Sequence, residues 1–401
     1  MLEVRPCRPE ELRAGLSPIF HYFGRAPTEE AAENIGRLLP ADRLHAAWED
    51  GTVVGAAGAF PFELTVPGGR VRAAGVTLVG VLPTHRRRGV LRSMMRAQLD
   101  AVHERGEPVA YLWASEDQIY TRFGYGRASL QGEIDLPRAH AAYGEPLERR
   151  GRIRLLDKAE AAEALPPIHE RVAAETPGMF ARSPDWWELR LLSDPDWLRR
   201  GRGEMQRAVL ELDGEAAGYA LYRLNLSFDY GGSTGELDVV EALATSPAAV
   251  AELWRFLLDV DWMDRIKAQL LPVDHPLLLL LADPRRLRFT LVDGIMVRLV
   301  DVGAALAARS YAGEDGVVAE VQDAFCPWNE GRWLVGPGAE RTDAEPELRL
   351  DVSALGSVYL GGFTFAELAR AGRVDELAPG AVRRADELFR VDRAPWCPEI
   401  F

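Results

Sequence analysis

Two stretches carry side chains that could do chemistry together. They are Arg86-Arg87-Arg88-Gly89 and Tyr120, thirty-one residues beyond that glycine. Guanidinium groups stay charged at any working pH and fork onto phosphate oxygens. A phenol with an ordinary pKa of about 10 can donate a proton. Binding of a phosphate-bearing ligand and proton donation are the chemistries these residues suggest.

The surrounding pattern supplies elements to position them. An apolar run from Val76 to Leu82 stops at Pro83, the arginines and Gly89 follow, and Val90, Leu91, Met94, Met95, Leu99 and Val102 then recur at helical spacing. Arg92, Arg96 and Asp100 occupy the other side. This predicts strand, basic turn and helix. The helix's first-turn N–H groups and positive dipole end suit a phosphate, and Gly89 lets a ligand approach the backbone. An arginine triplet is also a common solvated turn. The stretch has neither the Gly-Lys-Ser/Thr ending of a P-loop nor the glycines of a dinucleotide fingerprint. Downstream, a strand from Pro108 to Trp113 precedes Ser115, Glu116 and Asp117, a helix start, with Gly124 as its stop. A helix of about two turns is predicted, with Tyr120 inside it. Standing alone, Tyr120 could be a half-buried aromatic, as could Tyr111, Tyr125 and Tyr143.

Arg86-x-x-Gly89-x-Leu91 resembles the R-x-x-G-x-G/A acetyl-CoA loop of the GNAT acetyltransferases, with Leu91 where a small residue is usual. Tyr120-x-x-x-Gly124-Tyr125 resembles the Y-x-x-x-G-[FY] signature of the same enzymes, whose tyrosine protonates the departing CoA thiolate.

At 401 residues the chain exceeds one ordinary core, so two or three domains are expected, and 47% apolar content supports packed domains. The formal charge of −14 disfavours nucleic acid as a partner. Met1-Leu2-Glu3-Val4-Arg5 has no signal pattern, and the longest uncharged apolar run, Leu277 to Ala282, is too short to span a bilayer. A cytoplasmic protein with no membrane partner is expected. Cys7, Cys326 and Cys397 are isolated, which suggests free thiols and no metal.

Read in order, residues 1–150 form an α/β domain. A strand from Leu2 to Arg5 leads into a helix begun by Pro9-Glu10-Glu11, and a second helix runs from Glu29 to Leu39. Strands Leu44–Trp48, Val53–Phe60 and Phe62–Val66 follow. Residues 151–294 restart with a helix from Asp157 to Glu175, a broken helical segment from Phe180 to Trp197, and a hairpin across Asp213-Gly214. A strand to Leu243 and a helix capped by Ser246-Pro247 then repeat the first domain's strand-turn-helix without guanidinium groups or glycine, so this copy reads as scaffold. Residues 295–401 open with an alternating strand from Ile295, continue as α+β with helices to Ala371, and end on Pro395-Trp396-Cys397-x-x-x-Phe401, unlikely as a loose tail.

Taken together, Pro83 to Gly89, Ala114 to Gly126, Asp301-Val302 and this ending resemble the Eis family of actinobacterial N-acetyltransferases. The resemblance implies mixed α/β and α+β architecture: tandem GNAT domains, the second degenerate, then a sterol-carrier-like domain. It implies acetyl-CoA as co-substrate, a small-molecule amine such as an aminoglycoside as acceptor, and a homohexamer. Carried over, the coenzyme would bond the backbone at Val79, Gly80 and Val81, with its diphosphate over Arg86, Arg87, Arg88, Gly89, Val90, Leu91 and Arg92. Ser115 and Glu116 would border the pantetheine. Tyr120 would be the acid and the terminal carboxylate of Phe401 the base, while His85 would face solvent or pair locally.

The base is the harder assignment. A terminal carboxyl near pKa 3.5 lies four to seven units below an amine, which costs roughly 6 to 9 kcal/mol as a proton transfer. Burial against Phe401's own ring and Trp396 would shrink that gap, or a water chain would carry the proton. Phe20, Tyr22, Phe23, Glu29, Glu30 and Glu33 could line an acidic aromatic acceptor pocket, or be one surface and its packing. A protein lysine as acceptor, or a non-catalytic CoA or lipid binder, are the competing readings.

Overall fold

The predicted order of strand, basic turn and helix is what the chain builds in a computed structural model, which describes residues 2–199 and 201–401. Met1, the start of the leading stretch, lies outside those residues. β1 (Leu2–Pro6), β2 (Leu44–Glu49), β3 (Thr52–Val66) and β4 (Gly69–Val81) pair antiparallel in succession, and β5 (Val109–Trp113) lies parallel to β4. Two helices, α1 (Leu12–Tyr22) and α2 (Glu29–Leu38), fill the link from β1 to β2. The parallel crossover from β4 to β5 runs through α3 (Val90–Glu104), and α4 (Asp117–Thr121) follows β5. β6 (Gly126–Arg127) and the strand Ile295–Leu299 complete a seven-stranded sheet, with Ile295–Leu299 inserted between β5 and β6.

Three local expectations change. The two strands anticipated on either side of Pro61 are one strand, β3. β2 pairs with β3 only as far as Gly58, so at Pro61 the described ladder partner is β4 alone, a setting where a missing N–H is tolerated. The helix carrying Tyr120 is five residues long, shorter than two turns. A helix from Ala381 to Phe389, led by Gly380 in the left-handed region (φ 83°), follows the last helix that the spacing predicted.

The chain divides into two compact units. One holds the chain up to Ser129 together with Ile295–Pro395 and Ile400–Phe401; the other holds Leu130–Gly294 and Trp396–Glu399. β7 (Leu130–Pro137) pairs with Met263–Leu271 and Thr290–Asp293 in a second seven-stranded sheet, while Ile295–Leu299 joins the first. Sheet membership is set by long-range pairing, which local periodicity does not report.

In the second sheet the hairpin turns at Asp213 and Gly214, both at positive φ (53° and 86°), as a type I′ turn requires. Gly235–Ala244 and Met263–Leu271 pair in parallel through the helix Pro247–Leu258, whose Leu253, Trp254 and Leu257 are buried. The first unit also carries a five-stranded sheet from Val317–Gln322 and its neighbours. Cys7, Cys326 and Cys397 are buried free thiols. Among the described residues no helix is long and apolar enough to cross a membrane, and no three His, Cys, Asp or Glu side chains group as a metal site.

Candidate active site

The site is built where β4 and β5 separate. Their parallel ladder holds Ala73 to Val109, Ala74 to Ala110 and Gly75 to Tyr111, and no later pair is made among the described residues. Beyond Gly75, β4 carries a bulge: Gly58 faces Thr77 but Ala56 faces Gly80, so β4 has one residue more than β3. Leu78 sits inside that bulge at φ 53°, a left-handed conformation that costs a side-chain-bearing residue energy and marks sites held by their surroundings. The bulge and the parting of the strands leave β4 beyond Gly75 without a β5 ladder partner among the described residues.

The two faces of this gap carry different groups. Ala74, Val76, Ala110 and Leu112 pack with Met95, Leu99 and Val102 of α3, and Tyr120 belongs to this cluster. Alternation sends Gly75 and Tyr111 to the opposite face. There the Phe401 ring stands edge-on to Tyr111 (centroids 4.9 Å) and to Phe62 (5.1 Å). Gly75 makes room for it, since a Cβ there would lie 2.4 Å from the Phe62 ring and 3.3 Å from the Phe401 ring.

Tyr120 is 7% exposed, and its hydroxyl has no hydrogen-bond partner among the described residues. Burial pushes its pKa up to about 12. The phenol is therefore neutral, holding a proton and aimed by packing against Tyr125, 6.0 Å away ring to ring.

The basic loop joins β4 to α3. Gly89 is the helix N-cap at φ 83°, with no side-chain cap, and Ser93 N–H is the first to close a helical bond, to Gly89 O at 3.0 Å. The N–H groups of Val90, Leu91 and Arg92 thus have no helical acceptor. The Val90 side chain is buried beneath them, against Gly55. Arg87 also adopts positive φ (61°), so the turn bends twice within three residues.

The arginines are not equivalent. Arg88 is engaged by Glu49 through two bonds of 2.6 and 3.2 Å, and His85 joins the same carboxylate at 2.9 Å. Arg88 first, and His85 less, hold that carboxyl below its usual range. Arg86 and Arg87 are exposed and make no ion pair among the described residues. Arg92 leans on the Phe325 ring, 5.3 Å from its centroid. Sequence spacing had treated the triplet as one unit; Glu49, thirty-nine residues before Arg88, separates its members.

The remaining expected residues divide in the same way. Val81 O accepts the Tyr22 hydroxyl at 2.6 Å, and Gly80 faces Ala56 in the β3–β4 ladder, so Val79, in the bulge, is the one of the three with no ladder partner on β3. α1 crowds Gly80, with Ile19 backbone atoms 3.2 Å from where a Cβ would be. Ser115 and Glu116 are exposed, and Glu116, not Ser115, is the α4 N-cap. Of the acceptor-pocket residues, Phe20 is core and Glu29 is paired with Arg13, whereas Tyr22, Phe23, Glu30 and Glu33 are exposed. The Trp396 indole donates to Leu270 O at 2.5 Å. Leu78 and the Phe62–Gly75–Tyr111 socket had no signal in the spacing, because both depend on how β4 meets its neighbours.

Comparison with known proteins identifies the domains. Residues 3–128 and, separately, residues 178–299 match the family described as Acetyltransferase (GNAT) domain, and residues 302–398 match the Sterol carrier protein domain. The chain is 43% identical over 413 residues to an uncharacterized N-acetyltransferase of Streptomyces coelicolor, covering the whole of both. It is 37% identical over 381 residues to the N-acetyltransferase Eis of Mycobacterium bovis, covering 90% of each. The crystal structure of Eis1 from Mycobacterium abscessus matches with a TM-score of 0.85 at 38% identity, over the whole of both chains. GNAT acetyltransferases use acetyl-CoA. The second domain's turn, Thr245-Ser246-Pro247, has no guanidinium, and Pro247 removes one first-turn N–H. With two GNAT domains followed by a sterol-carrier-like domain, the chain belongs to the Eis family of N-acetyltransferases and is an acyltransferase.

Proposed function

We propose that this protein transfers the acetyl group of acetyl-CoA to amino groups of a small polyamine-like acceptor, aminoglycosides foremost, at more than one position. The observation that carries the reading is the parting of β4 and β5 after Gly75 and Tyr111, with Tyr120 packed on one face and the Phe401 ring on the other. A thioester threaded between such strands would meet a proton donor on one side and an acceptor amine on the other.

Acetyl-CoA supplies the acetyl group as a thioester. Arg86 and Arg87, with the first-turn N–H groups of α3 and Gly89, bind its diphosphate. Arg88 shapes the turn through Glu49, and Arg92 adds positive charge beside it. Val79, Gly80 and Val81 border the pantetheine arm along β4, and Ser115 and Glu116 border it from the end of β5. A β4 N–H near the bulge stabilises the charge that develops on the carbonyl oxygen.

Tyr120 is the acid. A phenol near 12 is about 3.5 units weaker than a thiol near 8.5, so full transfer alone stands about 5 kcal/mol uphill. Tyr120 therefore donates a hydrogen bond first and gives up its proton as the C–S bond breaks. The α-carboxylate of Phe401 holds the acceptor ammonium and takes its proton, directly or through water. An assembly of six copies in the cytoplasm completes the reading.

The test is a thiol-release assay with purified protein, acetyl-CoA and a panel of aminoglycosides, polyamines and peptides, with product masses. Thiol release with aminoglycosides and products bearing more than one acetyl group are expected. Reaction of only a single small amine or a protein lysine would overturn the acceptor; no thiol release with any of them would overturn the activity.

A further inference from the structure

We propose that the buried pair Arg298 and Asp323 seats the turn from Tyr120 to Gly124 and so acts as a positioning pair for Tyr120; this rests on the reading of Tyr120 as the acid given above.

Tyr120 lies near the end of a helix too short to hold its own direction. α4 has five residues, and a helix of that length is marginal in water, so its orientation comes from what it packs against. The chain leaves it through Phe123 N–H to Tyr120 O at 2.9 Å, Gly124 N–H to Thr121 O at 3.0 Å and Tyr125 N–H to Tyr120 O at 3.3 Å. Gly124, at φ 82°, rests on the Arg298 guanidinium: a Cβ there would stand 2.5 Å from Nη1 and 2.8 Å from Cζ. The Phe123 ring stands edge-on to Phe325 at 5.0 Å. Tyr125, the ring against Tyr120, is fully buried; burial pushes its phenol's pKa up, and the Arg298 charge opposes that rise.

One carboxylate fixes both supports. Asp323 Oδ2 accepts Arg298 Nη2–H at 2.6 Å and Asn329 Nδ2–H at 2.9 Å. Its Oδ1 accepts the Cys326 N–H at 2.9 Å, which closes the loop that carries Phe325. Asn329 Oδ1 in turn accepts the Val302 N–H at 3.0 Å, beside Asp301, whose carboxylate caps the next helix at the Ala304 N–H. The Asp301-Val302 pair singled out in the sequence therefore adjoins this network. The Arg298 and Asp323 side chains are 0% and 1% exposed.

A buried ion pair adds little net stability over apolar residues of the same size. What it supplies is direction, since the guanidinium is flat and its charge-assisted bond to Asp323 fixes the surface on which Gly124 lies. Arg298 belongs to the strand Ile295–Leu299, which pairs with β5 on one side and β6 on the other, so the seat is tied to the strand that α4 follows. Misplacing a reacting group by about 1 Å costs up to about a hundredfold in rate.

The experiment uses the full chain with Arg298→Lys, which keeps a cation opposite Asp323, and separately with Arg298→Met and Asp323→Asn together, which leaves no buried charge unmatched. Folding is checked by the thermal melt, and either folded variant decides. In each, kcat is expected to fall about tenfold, with the Kd for acetyl-CoA within about twofold. The same changes made in Tyr120→Phe should lower kcat by less than about twofold further, because a seat acting through the phenol has nothing left to place. An equal tenfold loss in both backgrounds, or unchanged kcat in a folded variant, would overturn the seat. If Tyr120→Phe itself kept full turnover, the acid reading would fall instead. The seat is then judged by the Tyr120 ring signal in ¹³Cζ-tyrosine NMR, identified by its loss in Tyr120→Phe: a shifted signal in the Arg298 variants supports it, and an unmoved one overturns it.

Discussion

Gly75 and Tyr111 are the last residues to face one another across β4 and β5, and the Phe401 ring lies against both. The point where two strands stop pairing is thus also the point where the chain's last residue returns to the sheet.

Gly75→Ala tests that socket. Its new methyl would press on the Phe62 and Phe401 rings, and small-to-large changes in a packed site cost typically about 1–3 kcal/mol. The expected result is a fall in kcat of about tenfold or more, with acetyl-CoA binding unchanged by isothermal titration. A variant that kept its turnover would place Phe401 outside the chemistry.

The arginines should separate by titration. Arg86→Ala and Arg87→Ala are each expected to weaken acetyl-CoA about tenfold, the ~1.5 kcal/mol of a charge-assisted hydrogen bond. Arg88→Ala should weaken it about twofold, because Glu49 already holds that guanidinium. An Arg88 effect larger than the other two would contradict this division.

Tyr120→Phe is expected to lower kcat about a hundredfold or more while leaving acetyl-CoA affinity intact. The raised pKa also fixes a pH window. The folded phenol titrates near 12 and the unfolded one near 10, so its contribution to stability is complete below pH 10 and lost as pH climbs through 12. Denaturant melts of wild type should therefore decline more steeply between those values than melts of Tyr120→Phe. Equal slopes would mean that the hydroxyl is open to water.

Leu78 offers a test of strain. Leu78→Val places a β-branched residue at φ 53° and should destabilise by more than about 1 kcal/mol, whereas Leu78→Gly should stay within about 1 kcal/mol of wild type by urea unfolding. Equal stability of the two would show that the bulge relaxes.

Much of this site was legible along the chain because its parts are local. The αL Gly89 that opens α3, the apolar stripe from Val90 to Val102, and Tyr120 between a strand end and Gly124 each declare themselves within about one turn or strand. The repeat in the second domain was legible for the same reason, through the Asp213-Gly214 turn and the Ser246 cap. What periodicity could not report was pairing between distant segments. Ile295–Leu299 reads as the opening of a third domain yet joins β5, and β7 reads as part of the first yet pairs with Met263–Leu271. Glu49 on Arg88 and Tyr22 on Val81 are contacts across thirty-nine and fifty-nine residues, invisible to spacing.

Deleting Phe401 and measuring thiol release alongside acetyl-CoA titration addresses the central claim most directly. A fall in kcat of about a hundredfold, with coenzyme Kd unchanged, is the result expected of a terminal group that meets the amine rather than the coenzyme. Turnover equal to that of the intact chain would contradict it.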